Sequence, residues 1–534
     1  MSSDPTSKRV GVYGWGVVAP GARDVPAFAK LLREGGSALV PSTRPELGPG
    51  LFAVGDPAFA FSDYADWIAK RHGAAYASRM LAKMSDNVQF ALGATIQALG
   101  SAPELEALVR ELDEECHVYV GSGLGDLPES YKAADSLARA MREWNQFWAS
   151  PAHCTARRRF DTEGAVPAGG APPVDPAGLA TDTEARFAAV TAWNAFWAGQ
   201  SVELRGFLDQ FAAVERLTSD SDGEEDAHLH AIRKRLREHR RLVEEVGCPP
   251  PPWTTVSPNL LWNIQNSPSA QITMLLGVHG EAWAPVGACS TFGVALRVGR
   301  DAVLRGDAKL AIVGTTDPRP DPALAAAFHQ ARVMPGTGEV NRPFTSLRGT
   351  HVSGGACVWI IGDAEWCEAR GLVPIGGYVD AVAIASDAEH IITPSKTGPK
   401  RAIARAYAEA GIAPGDVAQI DLHATGTPGD LNELALVEDF IHPGTRITAR
   451  KGQLGHGMAN SGGWELTALA LDLGHGAASP SGVRADELHP RIPHPEAIVA
   501  DGAAPLTGNV GVKLMLGVGG ITACVVMRSA RKPR

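Results

Sequence analysis

Cys289 stands in Gly287-Ala288-Cys289-Ser290-Thr291-Phe292-Gly293, where a strand-like approach turns into a helix-like run. Small residues before the cysteine permit a sharp turn. A helix starting there aims its free N–H groups and its dipole at the sulfur, which favours thiolate over thiol. That is the logic of an activated nucleophile. A lone cysteine is more often a buried structural thiol, so the reading depends on its company. His423 lies in Asp421-Leu422-His423-Ala424-Thr425-Gly426-Thr427, and His456 in Gly455-His456-Gly457. Each sits in a glycine-flanked turn that a ligand can approach, although a single histidine is more often packed or solvent-facing. A last glycine turn, Gly517-Val518-Gly519-Gly520, offers backbone N–H groups to a ligand but is a weak signal alone.

These turns need elements to hold them. Arg9 to Val18 reads as a buried strand ending in a turn, and Asp24 caps a short helix through Leu32. Ser78 to Leu99 reads as one buried helix, and His117 to Val120 as a strand emptying into Gly121-Ser122-Gly123-Leu124-Gly125. Around the candidate residues the pattern predicts a helix at Thr291 to Gly306 and strands at Leu310 to Gly314, Val352 to Gly362 and Ile375 to Ala385. It continues with a helix at Lys396 to Ala410, a strand at Ala418 to His423, and helices at Asn432 to Phe440 and Trp464 to Leu473. Two closing strands follow, Gly511 to Gly517 and Thr522 to Arg528.

Between Asp126 and Pro252 the pattern is all-helical. Glu184 to Leu217 reads as one long amphipathic helix, Ser219 to Asp226 as an acidic loop, and Ala227 to Val246 as a basic helix. The six residues Trp144 to Ala149 echo Trp193 to Ala198, each with two tryptophans four apart on one helical face. This predicts two helices burying aromatic faces against each other. The bland reading of Arg233, Lys234, Arg235, Arg237, Arg240 and Arg241 is a solvated face paired with Glu238, Glu244 and Glu245. The sharper one is a docking surface for an acidic partner.

At 534 residues and 45% hydrophobic content, the chain is long and apolar enough for a large buried core. A net charge of −10 argues against a nucleic-acid or anionic-membrane binder. Seven scattered cysteines without C-x-x-C or Cys/His spacing give no disulfide framework and no metal site. The polar stretch from Met1 to Arg9 does not read as a signal peptide, and the longest apolar stretch, Ile272 to Val298, is interrupted by His279 and Glu281. The expected compartment is the reducing cytoplasm.

In this order the four turns resemble the β-ketoacyl synthase family of condensing enzymes, of the type that elongates acyl chains on acyl carrier protein. The Gly121–Gly125 turn agrees, as do Asn341-Arg342-Pro343-Phe344 and the strand end from Gly314 to Asp317. The resemblance covers about residues 9–126 and 253–528. It implies an α/β thiolase-like fold, two similar halves in a five-layered core, with 1–126 and 253–365 as the first half, 366–534 as the second, and 127–252 as a helical insertion. It implies Cys289 as the acyl-bearing nucleophile, and His423 and His456 as the groups that bind the malonyl thioester and promote loss of CO2. The backbone N–H groups of Cys289 and Val518 would form the oxyanion hole. Lys451 and Glu433 would form a supporting ion pair, with Asp430 nearby. Thr425, Thr427, Phe292 and Val518 would line the pantetheine and acyl channel. No tightly bound cofactor or metal is implied beyond the phosphopantetheine arm of the carrier protein. A homodimer, or a heterodimer with a related subunit, is the expected assembly.

Several residues depart from the family pattern. The stretch from His423 to Asp430 is one residue short, and Ala424 replaces a glycine. Val518 replaces a bulky gating residue, while Phe292 puts a ring where small residues are common. Ala459, Asn460 and Ser461 replace a small apolar run after His456, and Thr345 replaces an aspartate. None removes a candidate catalytic group. Two other readings remain open to the same residues: a non-elongating relative of the same fold (a decarboxylase, acyl transferase or partner subunit) and a non-catalytic interaction scaffold.

Overall fold

Long runs of Val, Ile, Ala and Gly form strands buried along their whole length, as expected where both faces of a sheet are covered. The computed structural model describes residues 8–217, 225–391 and 395–530, without the side chains of 225–228. Residues 219–224 of the acidic stretch, and most of Met1 to Arg9, lie outside the described residues. Two units separate: Met1–Pro128 with Leu261–Arg534, and Glu129–Leu260. The second unit therefore ends later than the 252 read from the sequence.

Ten strands of the first unit join into one sheet. They are β1 (Val10–Val18), β2 (Cys116–Gly121), β3 (Ala282–Trp283), β4 (Leu310–Asp317) and β5 (Gly355–Asp363), then β6 (Tyr378–Ser386), β7 (Val417–Asp421), β8 (Arg446–Thr448), β9 (Val510–Gly517) and β10 (Ile521–Arg528). The order is β8-β7-β9-β10-β6-β1-β5-β4-β2-β3. Starting from β1, the pairings run antiparallel to β5, antiparallel to β4, parallel to β2 and parallel to β3. Starting from β6 they run antiparallel to β10, antiparallel to β9, parallel to β7 and parallel to β8. The two halves thus repeat one topology, joined where Gly11 pairs with Tyr378. Sequence identity did not reveal the repeat, because topology depends on the placing of apolar runs and turns rather than on particular residues.

Helices complete the layers. α1 (Asp86–Leu99) covers β1, β4 and β5 on the outer face of the first half, and α3 (Thr397–Ala410) covers β6 and β10 on that of the second. Between the halves lie α2 (Thr291–Arg305) and α5 (Asn460–His475), which pack on each other and on strands of both. α4 (Gly429–Val437) follows β7. Among the described residues this unit has three large cores and a smaller fourth, one of the large ones built around Phe292, Trp359, Trp464, Leu469 and Met515. α1 approaches β1 so closely that a Cβ on Gly16 would lie 1.8 Å from Ala94 O. The single helix read over Ser78 to Leu99 is two, Ala74–Lys83 and Asp86–Leu99. The break falls at Met84-Ser85, where the Ser85 N–H donates to Asn263 Oδ1 at 2.8 Å instead of continuing the helix.

The second unit is helical, as expected, with two corrections. The helix read over Glu184 to Leu217 divides into Glu184–Gln200 and Val202–Glu215, because Ser201 turns extended and its hydroxyl accepts the Leu204 N–H as an N-cap. The two tryptophan pairs do not pack on each other. Trp144 and Trp148 join Phe207 and Leu242, whereas Trp193 and Trp197 join Cys154 and Phe160. Aromatic rings from other helices fill each face. On the basic helix, Glu225–Val246, Arg241 pairs with Glu245 at 2.7 Å and Arg235 donates to Leu217 O. No helix among the described residues is long and apolar enough to cross a membrane.

Candidate active site

The turn carrying Cys289 is a 3-10 segment, Ala288–Ser290, feeding directly into α2. Ala288 holds φ 49°, a left-handed conformation costly for a residue with a Cβ, which presents the sulfur at the head of the helix. The turn is fastened on both sides. Thr291 Oγ1 accepts the Gly287 N–H at 3.0 Å and donates to Ala288 O at 2.6 Å. Ser290 Oγ lies 2.8 Å from Ile521 O, which ties the turn to the β9–β10 hairpin. At the tip of that hairpin sits Val518, whose backbone N–H favours the thiolate form of Cys289. A Cβ on Gly517 would sit 2.7 Å from Gly287 O, so glycine is what lets the hairpin approach.

Burial pushes the Cys289 thiol up to about 11, against the opposing pull of the Val518 N–H and the charge of Lys451. The helix-dipole argument expected a favoured thiolate. Burial acts in the opposite direction, because an enclosed anion gives up its hydration.

His423 follows the end of β7, and two acids of α4 hold its loop. Glu433 accepts the N–H of His423 at 2.6 Å and of Ala424 at 2.8 Å. Asp430 accepts from Thr425 at 2.8 Å, Gly426 at 3.1 Å and Phe344 at 2.9 Å. Both acids are buried, which raises Asp430 to about 6 and Glu433 to about 7 against these bonds. Thr425 and Thr427 lie half-buried with their hydroxyls 3.0 Å apart.

The Lys451–Glu433 pair does not form as expected. Lys451 pairs with Glu465 on α5 at 2.7 Å and donates to His423 O at 2.6 Å. Glu433 is occupied by backbone N–H groups. Lys451 Nζ also lies 3.5 Å from His423 Nδ1, and an ammonium offers only donors, so Nδ1 accepts and Nε2 carries the hydrogen.

His456 is fixed by its backbone and by its ring. Its N–H donates to His351 O at 2.6 Å, and its O accepts from Ser353 at 3.0 Å. Nδ1 accepts the Met458 N–H at 3.2 Å and lies 3.2 Å from Ser461 Oγ, which itself accepts the Gly457 N–H at 2.8 Å. His456 therefore also carries its hydrogen on Nε2. The two rings meet edge to face with centroids 5.3 Å apart. Burial, then the neighbouring cations, hold both well below the usual imidazole range, so both are neutral.

Asp317, at the end of β4, joins two site loops. Its Oδ1 accepts from Ser122 Oγ, Gly123 N and Leu124 N at 2.7–3.1 Å, and its Oδ2 accepts the Ala459 N–H at 2.8 Å. Burial raises it to about 6.

His423, His456 and Lys451 are thus brought together, and the charge of Lys451 acts on Cys289 as well. The family resemblance implies Phe292 on the acyl channel. It is fully buried in one of the large cores, edge to face with Trp359 at 5.4 Å and against Gly463. The Val518 side chain is 44% exposed. Sequence reasoning passed over Glu465, Lys513 and His351. Lys513 carried a usable signal, a lysine inside the apolar run Val510–Gly517.

Comparison with known proteins places this geometry in context. The family model "Beta-ketoacyl synthase, N-terminal domain" matches residues 244–363, and "Beta-ketoacyl synthase, C-terminal domain" matches 377–482. The 3-oxoacyl-[acyl-carrier-protein] synthase 2 of Staphylococcus aureus is 30% identical over 278 residues, covering 50% of this chain and 67% of the relative. Among solved structures, a β-ketoacyl synthase from Burkholderia phymatum superposes with TM-score 0.66 at 15% identity, covering 98% of this chain and 100% of that one. A ketosynthase in complex with a type II polyketide-synthase acyl carrier protein superposes with TM-score 0.64 at 15% identity, again covering 98% and 100%. These two likenesses establish the shared fold.

Proposed function

This chain belongs to the β-ketoacyl synthase family of condensing enzymes, and from that premise we propose that it joins an acyl group carried on Cys289 to a malonyl-type thioester on acyl carrier protein. In the first step the Cys289 sulfur attacks an acyl thioester. The acyl–sulfur bond passes to Cys289, and the thiol proton leaves with the carrier's phosphopantetheine thiol. In the second, a malonyl thioester loses CO2, and its electrons form an enolate whose oxygen is held by the Nε2–H groups of His423 and His456. The enolate carbon attacks the acyl–Cys289 carbonyl. The tetrahedral oxyanion is held by the N–H groups of Cys289 and Val518, each worth ~3 kcal/mol when aligned. Collapse releases the 3-oxoacyl product, and the Cys289 thiolate takes up a proton.

The observation that carries this reading is the pair of neutral imidazoles. Each is locked at Nδ1, so its remaining N–H is free for charge that develops on a thioester oxygen. Fatty-acid or polyketide-type synthesis, a cytoplasmic location and a homodimer belong to the same reading, as does a role for Thr425 and Thr427 beside the pantetheine arm.

The test uses purified protein with acyl and malonyl thioesters. Mass spectrometry is expected to find the acyl group on Cys289. Cys289→Ala is expected to abolish condensation while retaining malonyl decarboxylation, and His423→Ala or His456→Ala to lose decarboxylation. An alanine variant at Cys289 that still elongates an acyl chain overturns the assignment. Decarboxylation without condensation in the unaltered protein marks a non-elongating relative.

A further inference from the structure

Lys513 is fully buried at the middle of β9, among Val, Leu and Met. A lysine there gives up its hydration shell, and an apolar strand returns nothing for it. Three groups compensate. Its Nζ lies 2.8 Å from Asp421 Oδ1, 3.0 Å from Leu422 O and 2.7 Å from Glu465 Oε2. The last is an ion pair whose angle falls outside hydrogen-bond geometry. The other oxygen of Glu465 holds Lys451, so one carboxylate serves two ammonium groups. The line continues inward. Asp421 Oδ2 lies 3.6 Å from Arg450 Nε, and Arg450 Nη2 pairs with Asp472 at 2.7 Å. Lys451, Glu465, Lys513, Asp421, Arg450 and Asp472 form a buried row of alternating charge that balances as a whole.

The row ends at the imidazoles, where Lys451 donates to His423 O. The charged and titratable groups around the two rings are Cys289 from the head of α2, Asp317 from β4 and Asp430 and Glu433 from α4. Asp421 from β7, Lys451 from the turn Lys451–Leu454, Glu465 from α5, Lys513 from β9 and His351 from the loop before β5 complete the set. We propose that Lys513 is a positioning residue of the condensation site. By occupying the second oxygen of Glu465, it leaves Lys451 only half neutralised, so that Lys451 keeps its charge on His423. Both rings then stay neutral with Nε2–H outward. This rests on the condensing reading above. Burial first, and then Lys451 and Lys513 together, disfavour the protonated form of both rings. Protonation is damaging for a geometric reason. A hydrogen on Nδ1 faces the Lys451 ammonium in His423 and the Met458 N–H in His456.

The test is the pH profile of malonyl-thioester decarboxylation, with acylation of Cys289 read by intact mass as the check on fold. In Lys513→Met, Glu465 can give both oxygens to Lys451, and Asp421 is left in excess. The acid limb is expected to move up by about one pH unit, a roughly tenfold loss of rate on that limb. Should the excess negative charge at Asp421 prevent folding, the double variant Lys513→Met with Asp421→Asn removes it and is expected to show the same direction of shift. An unmoved acid limb in a variant that still acylates Cys289 overturns the proposal and leaves Lys513 a purely structural lysine. Absence of decarboxylation in the unaltered protein instead overturns the condensing reading on which the proposal rests.

Discussion

His351 offers a quantitative test of how the His456 loop is held. The ring is 1% exposed, its Nε2 accepts the Asn341 N–H at 2.8 Å, and its Nδ1–H donates to Ala53 O at 3.0 Å. Its backbone O receives the His456 N–H. Burial, and after it the charge of Arg348, pushes its pKa down to about 4 from the usual 6.5, against the pull of Ala53 O. The unfolded chain then binds the proton more readily than the folded one. The stabilisation is full above pH 6.5 and is lost as pH falls toward 4. A gap of about 2.5 units corresponds to about 3 kcal/mol at the acid limit, and to about 2 kcal/mol at pH 5. Asp317, Asp430 and Glu433 act in the opposite sense. Their raised values favour the folded state as pH falls, so the total pH dependence hides the histidine. A difference isolates it. His351→Gln keeps an acceptor and a donor but does not titrate. Urea unfolding of both proteins, followed by tryptophan fluorescence, is expected to show the unaltered protein losing about 2 kcal/mol more than the variant between pH 8 and pH 5. Equal pH dependence in the two would refute the claim that His351 is held neutral by burial.

Other perturbations follow from the same contacts. Ser461→Ala removes one of two groups at His456 Nδ1 and the acceptor of the Gly457 N–H, while the Met458 N–H still holds the tautomer. The loss of about 1 kcal/mol of positioning is expected to slow decarboxylation about fivefold, measured by CO2 release, and to affect Cys289 acylation less. Gly463→Ala would put a Cβ 2.5 Å from the Phe292 ring and 2.7 Å from Cys357 Cβ. A loss of ~1–3 kcal/mol is expected in thermal or urea unfolding, partly recovered when Phe292→Leu opens the space. No recovery would mean that the clash lies elsewhere.

Much of the fold was legible in the sequence because it is written in local patterns. The apolar runs of β4, β9 and β10 and the 3.6-residue period of α2 and α3 need no knowledge of distant residues. Breaks within apolar or amphipathic runs were harder. Ser85 and Ser201 end helices that periodicity alone would continue, because a side-chain or distant acceptor takes the backbone N–H. The tryptophan echo marked buried faces but not their partners, since periodicity says which side of a helix is apolar and nothing about what covers it.

In the site, Cys289 and the two imidazoles could be nominated as candidates from sequence, because each sits in a short glycine-flanked turn whose backbone demands are local. The partner of Lys451 could not. The family resemblance implied Glu433, and only the packing of α5 against β9 decides that Glu465 takes the ammonium while Glu433 takes backbone N–H groups. Protonation was equally beyond the sequence. A helix start after Cys289 argued for thiolate, yet the enclosed turn raises the thiol, and burial, followed by the neighbouring cations, keeps the imidazoles neutral. Residue type and spacing select the chemistry on offer. Desolvation and the meeting of charges far apart in the chain, such as Lys513 with Asp421, set its electrostatic state, and these exist only once the layers have closed.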